Sequence, residues 1–159
     1  MNLTLMALEQ QLVDEEEGPQ IPHVYKDSRG FWTISRGCLV DPAVPGAGLC
    51  QAAMDAQDAH SLAKAQALAA AIPGFAACSD VRQAVIVSMC YQLGDLAAWH
   101  DFRAALAAGD YAEVSQQMLF ANVAAGKPSD WLIQTPTRCR RAAYMMRSNT
   151  WLAHGAAIP

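Results

Sequence analysis

Four carboxylates in a row, Asp14, Glu15, Glu16 and Glu17, stop at Gly18-Pro19. Nine residues separate Glu17 from Asp27, which opens the run Asp27-Ser28-Arg29-Gly30 and is followed by Phe31-Trp32-Thr33-Ile34. An acid at a helix end, a second acid at a turn and a hydroxyl on the next strand are the parts that glycosidic hydrolysis needs. One carboxyl protonates the leaving oxygen and another works across the sugar. The donor has to keep its proton near neutral pH. A helix C-terminus disfavours negative charge, and three adjacent acids push the same way, so Glu17 is the candidate donor. Local unfavourability of this kind accompanies function. The plainer alternatives are a solvated acidic face for the run, an ordinary turn aspartate for Asp27 and a β-former for Thr33.

The elements that must position these groups follow from pattern and punctuation. Residues 3–17 read as a helix with Leu5, Leu8 and Leu12 along one side, stopped by Gly18-Pro19. His23-Val24-Tyr25 and Phe31-Trp32-Thr33-Ile34 read as hairpin arms, with a third short strand near 38–40. Residues 42–48 read as a loop. An alanine-rich helix from 49 to about 71, long enough to bridge two lobes, ends at Ile72-Pro73-Gly74. Ser79 or Asp80 caps a helix over 81–93 that is apolar on most sides, as the centre of a bundle is. A short helix at 102–108 ends at Gly109. Asp110 with Glu113 is a capping-box-like start for a helix to about 124. Residues 126–129 read as a loop. Thr135-Pro136 supplies an N-cap and a proline first turn for a helix to about 147.

Composition bounds the class. Hydrophobic residues make up 53% of 159, enough for a sizeable core in one domain. The formal charge is −4, with the acidic excess in the first half, and no basic stripe marks a nucleic-acid surface. Five cysteines, an odd number without a CxxC pair, argue against a zinc site or a disulfide framework and for buried reduced thiols. His23, His60, His100 and His154 lack ligand spacing. The N-terminal residues have no basic region before a short apolar run, so they read as helix and not as a signal peptide. No apolar run approaches the roughly 20 residues that span a bilayer.

The order Glu17-Gly18, Tyr25-x-Asp27, Thr33 resembles the catalytic segment of the T4-type phage lysozymes. Val81-Arg82-Gln83-Ala84 through Met89-Cys90-Tyr91-Gln92-Leu93-Gly94 resembles the central helix of their C-terminal lobe. Trp131, Gln134-Thr135-Pro136-Thr137-Arg138 and Arg141 resemble the family's Trp-x-x-Gln-Thr-Pro-x-Arg segment, and Thr150-Trp151 its closing pair. The likeness spans about 3–152 and is weakest over 42–78.

The resemblance implies an α+β, mainly α fold: one lysozyme-like domain over 1–159. Its N-terminal lobe would take about 15–50 and its connecting helix about 49–72. The helical lobe would take about 75–159 together with the helix at 3–14. It implies an endolysin that hydrolyses the β-1,4 bond between N-acetylmuramic acid and N-acetylglucosamine by inversion. Glu17 would be the general acid, Asp27 the base that activates water, and Thr33 the residue that positions it. By position, Arg138 would pair with Glu17 across the cleft. Leu39, Tyr91, Gln92, Gln117, Trp131 and Gln134 would serve the substrate, Trp131 either by stacking on a sugar or by packing in the core. Tyr91 and Gln117 stand where the best-known member has phenylalanine and asparagine, and Ala105 replaces a contacting serine. No metal or organic cofactor is implied. The expected partner is the peptidoglycan glycan strand, engaged by a monomer without nucleic acid or stable membrane association. The enzyme would wait in the host cytoplasm for a separate holin-type pore.

Two departures from the family pattern carry expectations. The Glu17–Asp27 spacing is one residue longer than is common, to be taken up either as a bulge or as a shift of Asp27. The family's Gly-x-Gly-His appears as Ser35-Arg36-Gly37-Cys38, which removes a histidine ion pair and puts a side chain on the cleft floor. They motivate a second reading, a lysozyme-fold module that binds glycan or builds a virion without cutting. A third reading is a helical regulator with no glycan affinity.

Overall fold

The computed structural model describes residues 5–27, 30–36, 38–39 and 51–159. The loop expected at 42–48 and the first turn of the expected N-terminal helix lie outside these residues. Helix α1, Leu5–Glu17, buries Leu8, Glu9, Leu12 and Val13 and ends where Gly18 takes a left-handed backbone, φ +69. Three antiparallel strands follow in the order β1-β2-β3: Ile21–Lys26, Trp32–Ser35 and Cys38–Leu39. Tyr25 pairs with Thr33 and Lys26 with Trp32, but Ile21 pairs with Ser35, so the register slips between Ile21 and Tyr25. Pro22, which has no N–H to give the ladder, lies in this irregular stretch. An irregularity of the kind a bulge would make thus lies between Glu17 and Asp27. Regular pairing resumes before Asp27 and leaves it at the turn.

Helix α2, Gln51–Ala70, is 20 residues long, about 30 Å, and leads from the small lobe to the large one. A 3-10 turn, Phe75–Ala77, precedes α3, Asp80–Leu93, whose residues 84–90 are all buried. Helix α4, His100–Ala108, begins two residues before the sequence reading and ends at Gly109, φ +72. Gly74 lies against it: a Cβ there would stand 2.4 Å from the Leu106 carbonyl oxygen, so no other residue fits.

Helix α5, Tyr111–Leu119, is capped by Asp110, whose Oδ1 accepts from the Glu113 N–H at 3.0 Å. Only this half of the capping box forms, because the Glu113 carboxylate accepts instead from Gln117 Nε2 at 2.7 Å. The expected continuation to about 124 is corrected. The chain turns into β4, Phe120–Asn122, which pairs antiparallel with β5, Lys127–Pro128. Ser129 explains the stop. Its N–H takes the Leu119 carbonyl (2.9 Å) and its hydroxyl the Met118 carbonyl (2.8 Å), so the last turn is satisfied from outside the helix. The same hydroxyl accepts from Leu132 N–H at 3.0 Å and starts α6, Asp130–Gln134, a helix the sequence reading did not anticipate. Helix α7 is Pro136–Ser148. Thr135 precedes it but does not cap it with its side chain, since the hydroxyl donates back to the Trp131 carbonyl at 3.2 Å.

One apolar cluster joins Leu8 and Leu12 of α1, Ala65 and Ala69 of α2, the buried face of α3, Phe102 and Leu106 of α4, Met118 of α5, Trp131 of α6, and Met145 and Met146 of α7. Full burial of each large aliphatic contributes about 1.5–3 kcal/mol. Helix α1 thus belongs to the helical lobe although the hairpin follows it directly. Val24, Ile34 and Met54 are buried outside this cluster, on the sheet and the facing start of α2. The architecture is mainly helical with a small antiparallel sheet, a lysozyme-like α+β fold. Among the described residues no helix is long and apolar enough to cross a membrane.

Candidate active site

The C-terminus of α1 meets α7. Arg138 and Arg141 are three apart, so they share a helix face, while Arg140 between them is exposed. Arg138 Nη1 donates to Glu17 Oε1 at 2.5 Å, across 121 residues of sequence. Its Nη2 donates to the Ser88 hydroxyl (3.0 Å) and carbonyl (3.3 Å) on α3, which locks the guanidinium in place. Arg141, 3% exposed, takes Glu16 through Nη1 and Glu15 through Nη2, and gives its Nε–H to the Leu152 carbonyl at 2.7 Å. Asp14 pairs with Arg36. Each carboxylate of the run therefore has a cation. The sequence argument from mutually repelling acids is corrected on that point: Glu15, Glu16 and Glu17 dock on α7 and the exposed Asp14 on Arg36, just past β2, so the run is not an uncompensated cluster. Glu17, the last residue of the run, remains 19% exposed at its side chain.

Three bonds between Asp27, Gly30 and Phe31 hold the hairpin turn. Asp27 Oδ1 accepts from the Phe31 N–H at 2.9 Å, its N–H donates to the Phe31 carbonyl, and its carbonyl accepts from Gly30. The carboxylate is fixed at the mouth of the turn, directly after the last paired residue of β1. Thr33 lies on β2 with 0% exposure, and its hydroxyl donates to the Tyr25 carbonyl at 3.3 Å. Leu39 pairs with Thr33 in the ladder.

On the helical lobe, Gln92 and Trp131 form one unit. The indole Nε1–H donates to Gln92 Oε1 at 2.6 Å, and Gln92 Nε2 donates to Thr135 Oγ1 at 3.5 Å. Trp131 is 1% exposed, so of its two expected roles it occupies the core position and offers no open face for stacking. Tyr91 lines a depression with Ser61, Lys64, Leu68 and Gly94. Gln117 lines a different one with Trp99, Phe102 and Phe120. Gln134 is exposed on α6. The structure thus brings together Glu17 with Arg138 and Gln92 with Trp131. Gln134 follows Trp131 by three residues on α6, and Gln117 is bonded to Glu113 within α5.

Sequence reasoning missed Ser88, Asp58 and the docking role of Arg141. Ser88 had a signal, since it stands one turn before Gln92 on the same face of α3. Asp58 had none, being one polar residue in an alanine-rich helix. Cys78, Cys90 and Cys139 are buried free thiols, and burial pushes those of Cys90 and Cys139 up to about 12. They are protonated and unreactive at neutral pH. Among the described residues no group of three or more His, Cys, Asp or Glu could hold a metal ion.

No curated protein matches the chain. A family model described as phage lysozyme matches residues 15–143, which takes in Glu17, Asp27, Thr33 and Arg138. With most of its length covered by that match, the chain belongs to the phage lysozyme family, whose activity is that of peptidoglycan-hydrolysing endolysins.

Proposed function

We propose that this protein is a muramidase that cuts the β-1,4 bond between N-acetylmuramic acid and N-acetylglucosamine by an inverting mechanism. Glu17 protonates the leaving glycosidic oxygen. Asp27 takes the proton of the attacking water on the opposite face, and Thr33 helps to hold that water. The observation that carries this reading is the Arg138–Glu17 ion pair. It joins the end of α1 to a helix far away in sequence and orients one carboxylate, while the turn that follows presents the second. Gln92, backed by Trp131, and Tyr91 present polar and aromatic groups of the helical lobe to the glycan. Leu39, Gln117 and Gln134 extend the contact along the strand. The protein acts as a monomer and reaches the wall from the host cytoplasm through a separate pore.

Inversion needs about 6.5–9.5 Å between the two carboxyl groups, so that a water fits. Purified peptidoglycan provides the test. The wild type should clear a turbid suspension, and Glu17→Gln should slow clearing by about 10²–10⁴-fold with an unchanged circular dichroism spectrum. The first-formed reducing sugar should be the α anomer. Undiminished clearing by Glu17→Gln, or a β product, would overturn the assignment.

A second reading has one observation in its favour. The Thr33 hydroxyl is buried and committed to Tyr25, so a water-positioning role requires it to turn towards the cleft. Retention on insoluble peptidoglycan without any clearing would support a binding module.

A further inference from the structure

Helix α2 carries one buried carboxylate, and the two ends of the hairpin converge on it. Asp58 is 8% exposed. Its Oδ1 accepts from the Ser35 hydroxyl at 3.1 Å, and its Oδ2 accepts from Gln20 Nε2 at 2.5 Å. Arg36 Nε stands 3.5 Å from the same Oδ2, and Arg36 Nη1 reaches Asp14 Oδ1 on α1 at 2.5 Å. These partners are placed tellingly. Gln20 lies three residues after Glu17 and just before β1. Ser35 ends β2, two residues after Thr33. Asp14 is one turn before Glu17 on the same helix. Both ends of the hairpin that carries Asp27, and the helix that carries Glu17, are therefore tied to one carboxylate on the connecting helix.

Ser35 adds a second, independent observation. It has φ +56 and is 1% exposed. A left-handed backbone is unfavourable for a residue with a Cβ and persists only where the surroundings over-determine it. The hydroxyl bond to Asp58 is the interaction that glycine could not supply there. A position where the backbone favours glycine is thus occupied by the one small side chain that reaches the carboxylate.

We propose that Asp58, through Ser35, Gln20 and Arg36, is a positioning residue that sets the hairpin bearing Asp27 and Thr33 against Glu17. It touches no substrate. The proposal rests on the two-carboxylate reading above for its catalytic consequence, but the clamp itself can be measured without catalysis.

Two variants and two readouts test it. Asp58→Asn removes the charge that holds Arg36. Ser35→Gly removes the hydroxyl while giving the backbone the residue its φ suits, so its melting temperature should equal or exceed that of the wild type. In both, kcat on purified peptidoglycan should fall, by up to about 10²-fold as expected of a misplacement near 1 Å, with KM unchanged. Amide exchange in residues 20–36 should quicken by about tenfold while that of 84–90 stays the same. In an enzyme whose wild type clears peptidoglycan and whose Glu17→Gln variant does not, an unchanged kcat, or a rise confined to KM, overturns the proposal. Unchanged hairpin exchange in both variants overturns it whether or not the wild type is active. If the wild type fails to clear, the muramidase reading falls, and faster hairpin exchange alone upholds the clamp. Should Asp58→Asn fail to fold, Ser35→Gly decides.

Discussion

The two candidate carboxylates are held in opposite ways. Asp27 is fixed by its own turn, with its partners Gly30 and Phe31 within four residues. Glu17 is fixed by Arg138, which is 121 residues away. The turn is a local device, with bonds made among Asp27, Gly30 and Phe31. The helix end is a tertiary device: it exists only when α7 docks on α1 and Ser88 of α3 steadies the guanidinium. The turn around Asp27 is built from neighbouring residues, while the partner of Glu17 arrives only with the folded helical part of the chain. On the two-carboxylate reading proposed above, folding and activity would be coupled through Glu17.

This contrast can be broken at its strong side first. Arg141→Ala should destabilise the protein by about 3–5 kcal/mol, because it leaves Glu15 without a cation and the nearly buried Glu16 with only the Arg138 Nε, 3.9 Å away. For a chain of this size that is a fall in melting temperature of about 10 °C, readable by calorimetry. A change below about 1 kcal/mol, the worth of an exposed pair, would mean that the strip docks by packing and not by charge.

The local side should give a smaller and divided response. Asp27→Ala removes the acceptor for the Phe31 N–H and should cost about 1–2 kcal/mol, whereas Asp27→Asn keeps an oxygen for it and should be close to neutral in chemical denaturation. Both should abolish clearing if Asp27 is the base. Equal stability losses in the two variants would show that charge, and not the hydrogen bond, holds the turn.

The smallest effect sharpens the contrast within α1 itself. Glu9 lies about one and a half turns before the acidic strip and is buried, but its partner is neutral Gln66 and no arginine. Burial raises its pKa above the usual carboxylate value, an effect partly opposed by the Gln66 hydrogen bond. The folded state then binds the proton more tightly than the unfolded chain does. Its favourable contribution is complete below the ordinary glutamate pKa and is lost as pH rises through the raised one. Glu9→Gln should match the wild type in stability at low pH and exceed it at neutral pH. Parallel pH profiles for the two proteins would remove Glu9 from the account.

Punctuation and periodicity were enough for much of this protein. Gly18-Pro19 stops α1, residues 84–90 read as the centre of a bundle, Gly109 and Asp110 separate two helices, and Pro136 opens α7. Each is a local matter of backbone freedom, a missing N–H or an apolar surface, and local physics is written in neighbouring residues. The order of Glu17, Asp27 and Thr33 was visible for the same reason, as was the pairing of Arg138 with Glu17 through family likeness.

Other features belonged to the tertiary structure alone. Helix α5 stops at Leu119 because Ser129, ten residues on, takes its last carbonyls. The four acids that looked mutually repulsive are each met by an arginine from elsewhere, and Trp131 faces inward because Gln92 accepts its N–H. Asp58 enters the argument only because Gln20 and the adjacent pair Ser35-Arg36 reach it from two ends of the hairpin. The sequence determined α1, the hairpin and the helices whose stops and caps lie within a few residues, whereas the end of α5, the β4–β5 pair and α6 depended on Ser129 and its distant partners. Which charges would be paired and which side chains buried depended on contacts made across tens of residues, and only the folded chain brings those together.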